Sequence, residues 1–183
     1  MALTKLNYTG QGTIPIASIP TITSAKMPSD SVLQVINKVI SSQPNTSGSA
    51  NTFADIPNFS QAITPTSTSN KIIIDISLNN VGMAGGNSVR FKLLRGSTTI
   101  GASSVGLANS IGAFAIVGGR NYGTTNRQRD SISVCIEDSP SSTSAITYKV
   151  QWTVDGSTGY LNRWATSTDL GIVSNIKLTE IKG

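Results

Sequence analysis

The chain has 183 residues and a mass of 19.1 kDa, enough for one domain plus a tail, and its charged fraction is only 13%. It holds no histidine, one cysteine, nine Asp plus Glu and fourteen Lys plus Arg, for a net charge of +5. Histidine-based acid–base chemistry, an intrachain disulfide and charge-driven disorder are thereby excluded.

Residues 1–30 differ in character from the rest of the chain. Pro15 and Pro20 punctuate a stretch bearing Ile14, Ile16, Ile19 and Ile22. Proline fixes φ and disfavours helix before it, so this segment reads as extended. Its isoleucines need a surface to cover, which makes residues 1–30 an expected anchoring arm and residues 31–183 the folded domain. Met1-Ala-Leu-Thr-Lys5 lacks a following apolar block, so no secretory leader is expected. No apolar run approaches the roughly 20 residues that cross a bilayer.

Val32–Ile40 fits helical spacing, but its β-branched content favours a strand. Residues 53–63 read as a strand interrupted near Pro57. Lys71–Leu78 places Ile72, Ile74, Ile76 and Leu78 on one face, followed by a turn over residues 79–86. Ser88–Arg95 alternates Val89, Phe91 and Leu93 inward with Arg90 and Lys92 outward, and Gly96-Ser97 turns it into a hairpin. Strands come next over residues 111–117, 131–137, 144–154, 160–165 and 173–181. A long polar loop spans residues 118–130. In residues 144–154, Tyr148, Val150, Trp152 and Val154 share a face. The last strand has apolar residues on both faces, which suits a central strand or a subunit contact. Cys135, inside Ile132-Ser-Val-Cys-Ile136, reads as a small buried hydrophobe. This pattern predicts an all-β fold: an antiparallel, jelly-roll-like β-sandwich with an extended N-terminal arm.

Several stretches carry a resemblance. They are Val32-Leu-Gln-Val35, Phe53-Ala-Asp-Ile-Pro57, residues 63–74, Phe91-Lys-Leu-Leu-Arg-Gly-Ser-Thr-Thr-Ile100, residues 137–150, Gly159-Tyr-Leu-Asn-Arg163 and Ile176-Lys-Leu-Thr-Glu-Ile181. Their order resembles the C-terminal fibre-like domain of tailed phages, especially cyanophages. The resemblance covers about residues 32–181 and implies a virion appendage. Such a protein would be a short tail fibre or tail-tip piece, trimeric, held on the virion by residues 1–30 and contacting the host surface. A capsid decoration or head-fibre protein of the same fold is the alternative. Tail, baseplate or capsid proteins and further copies of the chain are the implied partners. The resemblance carries no catalytic residues.

Two segments are candidates for binding a host glycan. The loop at residues 118–130 offers Arg120, Asn121, Tyr122, Arg127 and Arg129, where an aromatic ring beside arginines suits sugars bearing anionic groups. Residues 155–164 offer Tyr160 and Arg163, although an aromatic at a strand end more often packs inward. Asp130, Glu137 and Asp138 lie along one strand and do not face each other as a glycosidase pair would. No enzyme activity, metal or cofactor is expected. The basic residues are scattered apart from two loose groups, so nucleic acid is not an expected partner.

Overall fold

The computed structural model describes residues 21–47, 51–83, 88–102, 112–118, 129–156, 158–163 and 171–183. They form eleven strands: β1 (Val32–Ile40), β2 (Asn45–Ser47), β3 (Ala54–Ile63), β4 (Lys71–Met83), β5 (Ser88–Arg95), β6 (Thr98–Ile100), β7 (Ala115–Gly118), β8 (Arg129–Asp138), β9 (Ile146–Val154), β10 (Thr158–Tyr160) and β11 (Ser174–Ile181). Among the described residues a 3-10 turn, Ser24–Lys26, precedes them.

The strands form two antiparallel sheets. The first runs β1–β11–β4–β8, with β10 and β2 continuing beside the far end of β4. The second runs β3–β9–β5, and β5 then pairs with β6 near one end and β7 near the other. Along the chain, the long strands alternate between sheets. That topology is a double-sheet jelly roll.

Period-two alternation dictates the core. Ile72, Ile74, Ile76 and Leu78 of β4 and Ile176 and Leu178 of β11 are buried from one side. Val89, Phe91 and Leu93 of β5 and Tyr148, Val150, Trp152 and Val154 of β9 meet them from the other. Fully burying one such side chain contributes about 1.5–3 kcal/mol, so these two faces dominate the stability. The predicted inward faces of β4, β5 and β9 are those observed, and β11 is a central strand between β1 and β4.

The structure corrects several readings. The expected turn after Leu78 is strand: β4 runs on to Met83 through an irregularity between Leu78 and Val81, where Asn80 has φ 52°. Both described ends of the stretch read as a loop over residues 118–130 are strand: Gly118 closes β7, and β8 begins at Arg129. The strand read over residues 160–165 is β10, which ends at Tyr160. Cys135 is exposed, not buried. It is out of phase with Ile132, Val134 and Ile136, which pack against the core, so strand geometry turns its thiol outward. Arg90 is buried despite pointing to the outer side of its sheet. The chain at residues 51–53 folds over that side: Arg90 donates to Asn51 at 3.1 Å, and Lys92 lies 4.1 Å from the Phe53 ring centroid.

The interruption expected near Pro57 is a large bulge. Asp55 pairs with Gln151 and Ser60 with Lys149, so residues 56–59 stand opposite Val150 alone. Asn58 takes φ 63°, and the extra residues let both Ile56 and Phe59 enter the core.

Side-chain bridges close one flank of the sandwich. Lys38 on β1 donates to the Ser60 carbonyl on β3 at 3.0 Å, and Gln34 donates to the Thr64 carbonyl at 2.8 Å. A cation placed at a sheet edge in this way discourages another strand from pairing there.

Candidate functional site

The strand register gives the sandwich two chemically different ends. At one end, Val32 pairs with Ile181, Ile181 with Lys71, and Ile72 with Asp138. The residues leading into β1 arrive here, so this is the arm end. At the other end Ile40 pairs with Ser174, Ser88 with Gly118, and Val89 with Val154. The connections after β1, β4, β7, β9 and β10 all leave from this loop end.

The described parts of the two predicted glycan-binding segments lie at the loop end, on either side of β4. Tyr160 of β10 and Arg129 of β8 both pair with Gly82, from opposite edges of β4. The backbone of Arg129 is therefore placed within one strand row of Tyr160. Arg120, Asn121, Tyr122 and Arg127 lie outside the described residues. Tyr160 is only 8% exposed, so its ring does not offer an open stacking face. Instead it backs Arg163, whose guanidinium carbon lies 4.6 Å from the ring centroid. A cation held over an aromatic face in this way is pre-oriented.

Asn162 fixes this segment. It takes φ 61°, a left-handed conformation that asparagine tolerates. Its amide nitrogen donates to the carbonyls of Ile40 at 2.9 Å and Ser42 at 3.0 Å, and its oxygen accepts from the Ser174 hydroxyl at 2.6 Å. Asn162→Ala should cost about 2 kcal/mol, because three partners lose their bonds at once. Chemical denaturation of the variant checks this.

At the arm end the central feature is Glu180. It is 0% exposed and in phase with Ile176 and Leu178 on β11. Its carboxylate accepts from Gln34 at 2.6 Å, from the Thr66 backbone N–H at 2.6 Å and hydroxyl at 2.9 Å, and from Asn70 at 2.6 Å. Burial alone would raise its pKa; the bonds from Asn70, Gln34 and Thr66 outweigh it and hold the carboxyl below the ordinary glutamate range. The residues before β1 are fastened nearby. Asp30 N–H donates to the Lys182 carbonyl and Lys182 N–H to the Ser31 carbonyl, each at 2.9 Å. The Lys182 ammonium bonds the carbonyls of Ala25 and Met27.

Of the predicted anchoring residues, Ile14, Ile16 and Ile19 lie outside the described residues. Ile22 precedes the fastened stretch and is 76% exposed. Residues 25–31 are thus tied to their own subunit, and Ile22, just before them, is a bare apolar side chain.

The carboxylates considered for hydrolysis are held apart. Asp138 accepts from Arg95 at 2.9 and 3.0 Å and from Tyr148 at 2.7 Å. Glu137 pairs with Lys71 at 2.9 Å on the outer face, and Asp130 lies at the opposite end of β8. Among the described residues no group of three or more Cys, Asp or Glu could hold a metal ion, and no helix is long and apolar enough to cross a membrane. In comparisons with known proteins, no family model and no curated protein matches the chain.

Proposed function

We propose that this protein is a non-enzymatic virion appendage of a tailed phage, a short fibre or tail-tip piece that assembles as a trimer. Its N-terminal arm attaches it to the particle, and its loop end meets the host surface glycan. The observation that carries this reading is the opposition of the two ends. The arm enters beside Lys182, while the candidate recognition segments leave from the far end of the sheets. A jelly roll built this way holds one partner at each pole without either touching the core. Arginine distribution adds support. Among the described residues Arg95 alone of the arginines belongs to the arm end, whereas the backbones of Arg90, Arg129 and Arg163 lie at the loop end. Arg120 and Arg127 fall in the connection that leaves that end at Gly118 and returns at Arg129. Guanidinium groups match the carboxylates and phosphates of acidic surface polysaccharides.

The experiment separates the poles. Removing residues 1–22 spares the stretch fastened to Lys182 and should leave thermal unfolding unchanged, while incorporation into particles, read by protein mass spectrometry of purified virions, is lost. Arg163→Ala should keep incorporation and weaken adhesion to host cells by about tenfold, the loss of one charged hydrogen-bonded contact. Equal incorporation of the truncated chain would refute the anchor.

A further inference from the structure

We propose that the outer face of the β1–β11–β4–β8 sheet is the surface on which a neighbouring copy of this chain packs. The inference rests on the self-association included in the function above and adds the face that mediates it.

The register sets this face out in rows: Val32–Ile181–Lys71, Val35–Thr179–Ile73–Glu137, Asn37–Lys177–Asp75–Cys135 and Val39–Asn175–Ser77–Ser133. Three observations single it out. The first is apolar exposure. Of the seven exposed large hydrophobic side chains among the described residues, Val32, Val35 and Val39 lie on β1, and Ile172 and Val173 immediately precede β11 beside the end of β1. Ile73 and Ile181 extend the same apolar surface inward along the rows.

The second is charge. Each copy carries +5, so copies repel unless they meet where the charge is cancelled. The charged side chains in these rows are Lys71, Glu137, Lys177 and Asp75, and they neutralise one another within the face. Lys71 pairs with Glu137 and Lys177 with Asp75, each at 2.9 Å. The outer side of the other sheet lacks this balance, since Arg90, Lys92 and Lys149 stand there against Asp55 and Asp155.

The third is extent. Four strands about 4.8 Å apart and about eight residues long cover roughly 500 Å² on one copy, or about 1,000 Å² with the partner's matching area. That reaches the lower limit of a specific protein contact. The contact is made on the face and not edge to edge, because Lys38 and Gln34 already bridge the β1 edge to the second sheet.

Cys135 sits in the third row and is exposed, so the protein carries its own reporter. The test measures solution mass and the rate of maleimide labelling of Cys135 over a concentration series, for the full chain and for the double variant Val35→Lys/Val39→Lys. The full chain should assemble as concentration rises. Cys135 labelling should then slow by about tenfold, the protection given by a tenfold excess of assembled over free chains. The double variant should stay monomeric and label fast throughout, with circular dichroism and thermal unfolding like the parent. A full chain that remains monomeric at the highest concentration refutes self-association, and with it this interface. An assembled chain whose Cys135 labels as fast as in dilute solution refutes the face alone.

Discussion

Glu180→Ala should destabilise the protein by about 3–4 kcal/mol, because it strands several buried donors that were bonded to one carboxylate. The melting temperature should fall by about 10 °C for a chain of this length. The donors left behind belong to two elements: Gln34 on β1, and Thr66 and Asn70 on the β3–β4 connection. Loosening should therefore appear first at the arm end, and hydrogen exchange of residues 64–71 should speed up before the loop end changes. Glu180→Gln keeps the shape and one acceptor, and should cost about half as much. The pH dependence has a definite sign. The folded-state pKa of Glu180 is lowered, so the native state binds fewer protons there than the unfolded chain. Its contribution is complete above the unfolded value of about 4.3 and is lost as pH falls through the folded value. The stability gap between the parent and Glu180→Gln should narrow as the solution is acidified below that point. A gap that stays constant into strong acid would contradict the assignment.

How much of the fold is legible in the sequence depends on a simple rule. Where apolar residues recur at period two, the face they define is the face that packs. Ile72, Ile74, Ile76 and Leu78 are assignable for that reason, as are Tyr148, Val150, Trp152 and Val154. The rule also contains the answer for Cys135. Its neighbours Ile132, Val134 and Ile136 set the phase, and the cysteine falls between them; its hydrophobic character misleads where its position does not. Glu180 shows the reverse case. An acid in phase with Ile176 and Leu178 must be buried and must find donors, but those donors lie over 100 residues away in sequence, on the β3–β4 connection and β1. Periodicity reveals the need and not the partner. Arg90 escapes because burial on the outer side of a sheet depends on what folds over it, here residues 51–53, and no strand pattern encodes that cover. The continuation of β4 past Leu78 escapes because Asn79-Asn80 carries turn chemistry, which the structure uses for an irregularity inside a strand.

The candidate site is legible only as segments. Sequence places Tyr160 and Arg163 together because they are neighbours in the chain. It does not place them beside Arg129, about thirty residues upstream, because that proximity is made by both segments pairing with Gly82 across β4. Likewise, the polarity of the molecule is a property of the jelly-roll crossings, which bring distant connections to common ends.

Asp138→Ala should cost about 3 kcal/mol, and its effect should be strongly coupled to that of Tyr148→Phe. Asp138 belongs to β8 in the first sheet, whereas Arg95 on β5 and Tyr148 on β9 belong to the second, so the carboxylate pins the two layers together at the arm end. Its removal leaves a fully buried phenol and a half-buried guanidinium without their common acceptor. Tyr148→Phe alone should cost only about 1 kcal/mol, since Arg95 and Asp138 still satisfy each other. The double variant should lose less than the sum, because the phenol that Asp138→Ala would strand is no longer there; thermal unfolding of the four proteins closes the cycle. Alkaline pH supplies an independent readout. Burial, reinforced by the adjacent Asp138 carboxylate, pushes the Tyr148 pKa far above the ordinary tyrosine value. A raised folded-state pKa gives a contribution that is complete below the unfolded value of about 10 and is lost as pH rises beyond it. The parent should therefore lose stability above that pH faster than Tyr148→Phe does. Phenolate absorbance attributable to Tyr148, taken as the difference between parent and variant, should appear only together with unfolding. If it rises smoothly while the fold persists, the phenol is reaching solvent and the inter-sheet pin is not closed.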